Sequence, residues 1–328
     1  MSLTVVGSIA FDTVTTPFGR RERMLGGAAT HFALAASFFD QVYVVGPVGD
    51  DFTEVEMSTL ATRGANVDDV ERVAGGRTFF WEGEYGWDLN SRQTLDTQLN
   101  VFEHFDPKLS QASKECDVLF LANILPDLQL QVREQCSAAR FVALDSMNLW
   151  IDVARAPLVD VIGRVDCVIL NDAELRQLTE RPNLISAARE VLNWGPSVVV
   201  AKQGEYGAAV VTRDTFFALP AYPLQTVVDP TGAGDTFAGG FVGYITRHVD
   251  RPLTSDVLRN AMAYGTALAS FNVEEFGTDG VVSLDLDAVR ERVDDLEAFT
   301  RFHHIEVDLA REMPTMATSG ADNAEKSG

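Results

Sequence analysis

Short apolar runs alternate with segments of helical length over most of the chain. The first run, residues 3–9, suits a buried strand of a parallel sheet, and residues 41–52 predict a second strand and a turn. Further apolar runs lie at residues 118–122, 141–145, 165–170 and 198–202. This alternation predicts an α/β fold, a doubly wound, mostly parallel sheet flanked by helices.

Residues 77–87 carry a different pattern, with a period of two. The aromatic residues there share one parity and the polar residues share the other. The aromatic set is Phe79, Trp81, Tyr85 and Trp87, and the polar set is Thr78, Glu82 and Glu84. This pattern predicts a strand with one apolar face, which either packs on the core or is covered by a lid or a second subunit.

A glycine-rich loop follows the apolar residues Val227 and Val228. It reads Asp229-Pro230-Thr231-Gly232-Ala233-Gly234-Asp235 and leads into a segment whose apolar residues recur at helical spacing. Its glycines allow a tight turn whose N–H groups, with the helix dipole behind them, form a site for an anion. Asp235 on the rim would repel a resting phosphate, but it is well placed to take a proton from a hydroxyl that attacks one.

An amide cradle paired with a base is what phosphoryl transfer to an alcohol requires. The alternative is an ordinary glycine-rich turn in which Asp235 caps the helix. The small residues Ala238, Gly239, Gly240 and Gly243 indicate a helix that is pressed against a neighbour, which favours the first interpretation. The sequence contains no P-loop, HExxH or GxSxG motif.

Composition limits the classes of partner. The 328 residues carry a formal net charge of −22, and the acidic residues are scattered, so nucleic acid and anionic membrane surfaces are not expected partners. The three cysteines have no metal-binding spacing, and neither a leader-like segment nor an apolar run of about 18 residues is present. We therefore expect a soluble, cytoplasmic protein with reduced thiols.

The run from Asp229 to Gly240 resembles the C-terminal signature of the ribokinase-like carbohydrate kinases, the PfkB family. The glycines that open a helix at Gly26 and Gly27, and the stretch Val48-Gly49-Asp50-Asp51-Phe52, are similar to other motifs of that family. The resemblance covers roughly residues 3–280. It implies one kinase domain over residues 1–313, with a small β-lid built from about 12–24 and 75–102, and we expect residues 314–328 to form a disordered tail.

The resemblance also implies roles at the phosphoryl end of the site. Asp235 would be the base, with the amides of Gly232, Ala233 and Gly234 stabilising the transferring group. The ATP site would include Lys202, Gly204, Thr231, Gly232, Gly234 and Asn272. Mg²⁺ would be held by Asn171, Glu174 and Asp229, although Asn171 and Glu174 also fit a helix capping box. A monovalent cation such as K⁺ would bind near the loop after residue 272.

At the acceptor end, the resemblance implies substrate contacts from Asp12, Gly26, Gly27 and Thr30. Asp12 could instead be a turn residue, and Thr30 or His31 stands where many members of the family carry an asparagine. Asn123 and Asn148 follow two predicted strands, so they either line the pocket or cap the next helices.

The acceptor itself is predicted from charge. The expected pocket segments contain Asp12 and no Arg or Lys, so a neutral acceptor is expected, a sugar first and a nucleoside second. Arg21, Arg23 and Arg77 could still reach in from the lid. The other possibilities are a non-catalytic protein of this fold that binds a ligand, and a homodimer formed through the β-lid.

Overall fold

The computed structural model describes residues 1–303, and the tail predicted at residues 314–328 lies outside them. The strands are β1 Ser2–Val6, β2 Ala10–Thr16, β3 Gly19–Gly26, β4 Gln41–Val48, β5 Val70–Arg72, β6 Phe79–Tyr85, β7 Arg92–Gln98, β8 Val118–Leu121, β9 Phe141–Asp145, β10 Cys167–Asn171, β11 Val198–Lys202, β12 Ala208–Val211 and β13 Phe216–Leu219. The helices are α1 Ala28–Ala36, α2 Glu54–Leu60, α3 Gln111–Lys114, α4 Pro126–Gln135, α5 Asn148–Val153, α6 Arg155–Ile162, α7 Asp172–Thr179, α8 Leu184–Trp194, α9 Ala233–Thr246, α10 Ser255–Asn272, α11 Asp279–Val282 and α12 Leu286–Thr300.

Nine strands form the large sheet in the order β13-β12-β11-β10-β9-β8-β1-β4-β5. Strands from β11 to β5 in that order pair in parallel, and β12 and β13 add an antiparallel edge. One face packs against α1, α9, α10 and α12, and the other packs against α4, α6, α7 and α8. The prediction of a doubly wound, mostly parallel sheet is therefore confirmed.

A second, smaller sheet has the order β3-β2-β6-β7. Its central pair, β2 and β6, is parallel, and the two outer pairs are antiparallel. The sequence analysis predicts a first strand within residues 3–9, which leaves Asp12 outside it. Instead, β1 ends at Val6 and Asp12 lies inside β2, because residues 7–9 lead directly into a second strand.

Helix α9 lies between α1 and α10 in close backbone contact. A Cβ at Gly239 would lie 2.4 Å from the carbonyl oxygen of Phe32, and a Cβ at Gly240 would lie 2.9 Å from the Cα of Gly265. No side chain fits at those separations, so the small residues of α9 are needed for packing. This packing fixes where α9 begins relative to both neighbours.

All three cysteines are buried, and none of them forms a disulfide. Over residues 1–303, no helix combines the length and the apolar character that crossing a membrane requires.

Candidate active site

The start of α9 leaves unpaired backbone donors. Gly232 caps the helix with a φ of +74°, and the N–H of Ala233 donates to the carbonyl oxygen of Pro230 at 3.3 Å. The N–H groups of Gly234 and Asp235 have no acceptor among residues 1–303. With the positive end of the helix dipole behind them, these two amides form a site for an anion.

Asp235 lies in the first turn of α9 and is partly accessible. Burial raises the pKa of its carboxyl to about 7, with a further rise from Asp145 and an opposing effect from Lys202. A general base works best when its pKa is close to the working pH. The carboxyl beside the free amides is therefore suited to accept a proton near neutral pH.

A buried ion pair lies next to that carboxyl. The Nζ of Lys202 is 2.9 Å from the Oδ2 of Asp145, and both side chains are largely shielded from solvent. Burial alone would lower the pKa of Lys202, but Asp145, Glu174 and Asp235 together raise it above its ordinary value. The ammonium group therefore stays charged, and a Cβ at Gly234 would lie only 3.1 Å from its nitrogen. Lys202 thus places a positive charge beside the anion site.

Asn171 and Glu174 form a capping box at the start of α7. The Oδ1 of Asn171 accepts from the N–H of Glu174, and the Oε2 of Glu174 accepts from the N–H of Asn171, both at 2.8 Å. Burial raises the pKa of Glu174 to about 7, while Lys202 lowers it and Asp145 raises it. Its Oε1 makes no hydrogen bond within the described chain, so one carboxylate oxygen remains available to a cation or to water.

Asp229 has a structural role in this conformation. Its side chain is fully buried, and its two oxygens accept from the N–H groups of Thr231 at 2.9 Å and Gly277 at 3.0 Å. The metal contact expected for Asp229 stays a prediction, and in this structure both of its oxygens accept backbone N–H groups. Asp229 ties the glycine-rich loop to the segment after α10.

Asn272 is the centre of a buried hydrogen-bond network. It is fully buried, and its Nδ2 donates to the carbonyl oxygen of Thr231 at 2.8 Å. Its Oδ1 accepts from Thr236 at 3.0 Å and from His31 Nδ1 at 3.1 Å. These bonds join α1, α9 and α10 behind the anion site, and the nucleotide contact expected of Asn272 stays a prediction.

His31 packs directly under the cap of α9. A Cβ at Gly232 would lie 2.3 Å from its ring, and burial lowers the pKa of the imidazole. The bond to Asn272 requires the proton on Nδ1, so Nε2 is the unprotonated nitrogen, and it has no partner among residues 1–303. The neutral ring supports the turn, a role that no sequence pattern indicated.

The acceptor end contains Asp12 and the start of α1. Burial raises the pKa of Asp12 to about 7, with further increases from Asp229 and Asp235, while a hydrogen bond from the Gly27 backbone lowers it. Thr30 is fully buried, and its hydroxyl has no partner in the part of the chain that the structure describes. A buried polar atom without a partner is uncommon in folded proteins, and here it lies one helical turn beyond Gly27.

Asn123 has a hydrogen-bond partner within the chain, and Asn148 lies at the surface. The Oδ1 of Asn123 accepts from the indole nitrogen of Trp150 at 2.9 Å. Asn148 is exposed at the first position of α5, and its side chain makes no hydrogen bond within residues 1–303. Their substrate contacts stay predictions, and neither is joined to Asp12 or Asp235 by a hydrogen bond in the described chain.

The small sheet reaches across to the start of α9. The hydroxyl of Thr231 donates to the phenolic oxygen of Tyr85 at 3.2 Å, and Asn90 at the tip of the β6–β7 hairpin donates to Glu205 at 3.1 Å. Glu205 belongs to the short helical turn that also contains Gly204. Arg92, which begins β7, lowers the pKa values of both Asp235 and Glu174. Two strand ends of the small sheet therefore face the candidate base.

Tyr85, Arg92 and Asp145 were missed as site residues in the sequence analysis. Asp145 could have been found, because β9, β10 and β11 are adjacent and each ends in a polar residue, and ligands of open α/β sheets bind at those ends. Arg92 had no such signal, since its approach to Asp235 depends on how the small sheet folds over.

The three arginines that could reach the acceptor pocket from the lid have different surroundings. Arg23 lies 3.9 Å above the ring of Phe11 and donates to the carboxylate of Asp51 at 3.2 Å. Arg21 lies 5.7 Å from the ring centre of Phe276, and Arg77 is exposed. Arg23 is therefore already paired with Asp51, but its side chain is 51% exposed, so this pair does not exclude a phosphate.

The model of the pfkB family carbohydrate kinases matches residues 3–283. The chain belongs to this family. Membership agrees with the free amides at α9 and with the carboxyl beside them, which are the elements that phosphoryl transfer needs.

Relatives in the family carry several different names. A cytidine kinase of Thermococcus kodakarensis is 29% identical over 262 residues, which cover 77% of this chain and 91% of that protein. A ribokinase of Lactococcus lactis is 26% identical, with coverage of 90% and 98%. The structure of Arabidopsis thaliana ribokinase complexed with ribose and ATP superposes with a TM-score of 0.71 at 21% identity, and covers 89% of this chain and 98% of that one.

Proposed function

We propose that this protein transfers the γ-phosphate of ATP to the primary hydroxyl of a nucleoside. The observation that carries the acceptor class is the pairing of Asp12 and Trp81, which lie side by side in register on β2 and β6. Neighbours in register project to the same face of a sheet. A carboxyl that can bind hydroxyl groups therefore adjoins an aromatic ring on which a base can stack.

The setting of Trp81 supports this assignment. A Cβ at Gly83 would lie 2.1 Å from the indole, so the ring covers Gly83, and its nitrogen donates to Thr94 at 3.3 Å. The guanidinium of Arg92 lies 5.5 Å from the ring centre, so a base would take the place of Arg92 on this ring. Tyr85 has the same parity on β6 and contacts Thr231 beside the anion site. The ring, Asp12 and the start of α9 thus share one side of the small sheet.

In the proposed reaction, the acceptor hydroxyl gives its proton to Asp235 as its oxygen attacks the γ-phosphorus. The N–H groups of Gly234 and Asp235 stabilise the charge on the transferring phosphoryl group, and Lys202 adds a positive charge nearby. ADP then leaves with the bond electrons. Asp12 orients the acceptor through its hydroxyl groups.

The residues present fit Mg²⁺ in a limited way. Only Glu174, through its unbonded Oε1, offers a carboxylate oxygen beside Lys202 and Asp235, and no cluster of three His, Cys, Asp or Glu side chains suited to a metal occurs within residues 1–303. This agrees with an ion held mainly by ATP and water, as is usual for Mg²⁺. Bound there, the ion would neutralise phosphate charge.

A free sugar is the second candidate acceptor, because a relative over nearly the whole chain is named a ribokinase. The sequence analysis placed the sugar first. The aromatic ring beside Asp12 and the greater identity of the cytidine kinase reverse that order here. K⁺ binding and a homodimer through the lid stay predictions, as does a cytoplasmic location.

A panel of acceptors under one MgATP condition tests the proposal. We expect kcat/KM for cytidine, adenosine or inosine to exceed that for ribose and fructose by at least about tenfold, or about 1.4 kcal/mol of transition-state discrimination. Ribose or fructose preferred by the same factor would make this a sugar kinase. Ligand binding with no turnover on any acceptor would identify a non-catalytic binding protein.

A further inference from the structure

A cavity of about 490 Å³ opens at the far end of α9 from Asp235. It is lined by Phe38, Phe39, Tyr244, Arg247, His248, Arg251, Tyr264, Leu286 and Arg290. Since α9 has 14 residues, the cavity lies about 20 Å from the start of that helix. It is therefore separate from the candidate active site.

Positive side chains gather around this cavity in a protein of net charge −22. Arg247 and His248 follow the last residue of α9, where cations stabilise the negative end of a helix dipole. That explanation does not extend to Arg290, which lies in the second turn of α12, or to Arg251, which lies between helices. The cluster therefore exceeds what helix capping requires.

The carboxylates near these arginines pair with them only weakly, so the guanidinium groups can bind another anion. Arg247 is 3.4 Å from Asp40, and Arg290 is 3.0 Å from Asp287, but the arginines of both pairs are more than half exposed. Exposed pairs of this kind contribute about 0–1 kcal/mol. Asp250 is already paired with Arg140, and Arg251 has no carboxylate partner among residues 1–303. An incoming anion therefore meets little competition.

The floor of the cavity is aromatic and ordered by stacking. The rings of Tyr244 and Tyr264 stack with centroids 5.0 Å apart, and His248 stacks on Tyr244 at 4.5 Å. Phe39 meets Tyr264 edge-on at 5.4 Å. Stacked rings cover one another's faces, so a base can reach only an outer ring of this stack, beside the guanidinium groups that line the same cavity.

We propose that this cavity binds a nucleoside monophosphate at a site separate from phosphoryl transfer. Guanidinium groups bind phosphate oxygens in pairs, and aromatic faces stack on a base. The volume suits a molecule of that size. Neither the family assignment nor the proposed reaction requires this second site.

The test uses the full chain, with AMP as the probe and isothermal titration as the measurement. An unreactive ATP analogue and a saturating acceptor are present throughout to occupy the active site. We expect Arg251→Ala/Arg290→Ala to weaken AMP binding at least about tenfold, which is about 1.4 kcal/mol. Arg213→Ala, which removes an exposed arginine from the turn between β12 and β13, should leave it unchanged. Ribose 5-phosphate should bind the wild-type protein at least about fivefold more weakly than AMP, because it lacks the base.

Three outcomes would overturn the proposal. Equal AMP affinity in the double variant and in Arg213→Ala would show that Arg251 and Arg290 do not bind AMP. Equal affinity of the wild-type protein for ribose 5-phosphate and AMP would show that the aromatic floor does not bind the base. A change in sedimentation coefficient on mutating the arginines, with no saturable AMP binding, would make the cavity an interface between copies. If the double variant does not fold, the single variant Arg251→Gln answers the same question at an exposed position.

Discussion

The start of α9 and the small sheet face each other across the candidate site, yet they are built differently. At α9 the groups that matter are backbone amides and a buried ion pair, held by helices in backbone contact. On the small sheet they are side chains, those of β6 and β7 mostly half-buried or exposed, and ion pairs such as Arg20 with Glu82 are open to water. Reaction chemistry thus depends on packing, whereas acceptor choice depends on replaceable side chains.

The largest expected effect comes from the base. Replacing Asp235 by asparagine keeps its shape but removes proton acceptance, so kcat should fall by about 10²–10⁴. Steady-state assays measure kcat, and titration with an unreactive ATP analogue should give nearly unchanged affinity. Asp214→Asn, in an exposed turn, is the control. Retention of more than about a tenth of the wild-type kcat by Asp235→Asn would leave the residue only a negative charge in the first turn of α9.

On the lid side, Trp81→Ala should act mainly on acceptor binding. Stacking of a base on an aromatic ring is worth about 1–3 kcal/mol, so KM for the preferred nucleoside should rise about 5- to 150-fold with a smaller change in kcat. Trp87→Ala provides a matched control, because Trp87 is 89% exposed just beyond β6. Equal KM values for the two variants would count against a base on Trp81.

The pH dependence of activity links the two regions through Asp235. Because its pKa is raised to about 7, activity should fall about tenfold per pH unit below that value and level off above it. Measurements of kcat/KM from pH 5.5 to 9 give this pH profile. Asp12 and Glu174 have similar pKa values, so the profile reports the group as a whole. A flat profile over this range would contradict Asp235 as the base.

Substituting Gly232 tests the packing behind the amides. Alanine there meets a φ of +74° and the ring of His31 at 2.3 Å. Gly75 has the same φ with nothing within 4 Å, so Gly75→Ala isolates the backbone cost of about 1–2 kcal/mol. Urea unfolding should show Gly232→Ala to be less stable than Gly75→Ala by at least about 1 kcal/mol. Equal losses would mean that His31 moves aside freely.

A further expected effect is on stability, and its sign follows from the raised pKa of Asp235. A carboxyl with a higher pKa in the folded protein contributes stability below its unfolded pKa, and that contribution is lost as pH rises to about 7. Asp235→Asn should therefore be more stable than the wild type, by a margin that widens between about pH 4 and pH 7 and is constant above. Melting temperatures across this range measure it, and a margin that shrinks with rising pH would contradict the assignment.

Residues close in sequence were the predictable part of the site. The loop from Asp229 to Asp235 and the start of α7 signal their turns locally, and even the alternative of a capping box at Asn171 was readable. Bonds between distant segments were not. Asp229 accepts a hydrogen bond from Gly277, 48 positions away, and Asp145 accepts one from Lys202, 57 positions away. Which distant segments meet depends on how the elements are arranged in the fold.

The lid showed the same limit. Its alternating pattern predicted a strand with an aromatic face, and the small sheet contains that strand as β6. The pattern could not give the parallel pairing with β2, which sets Trp81 beside Asp12. It also could not show that Arg92 lies near enough to Asp235 to lower the pKa of that carboxyl. The position of Arg92 depends on how the β6–β7 hairpin folds over the start of α9.

The close contacts of Gly239 and Gly240 also have an evolutionary meaning. Any larger residue at these positions must separate α9 from α1 or α10, and would displace Thr30 and His31 on one side and Asn272 on the other. Positions 239 and 240 of α9 thus accept no larger residue unless a neighbour moves, whereas most side chains of β7 are exposed and meet no such restriction. A lineage that acquired a new acceptor would therefore change β6 and β7 first and inherit its phosphoryl chemistry intact.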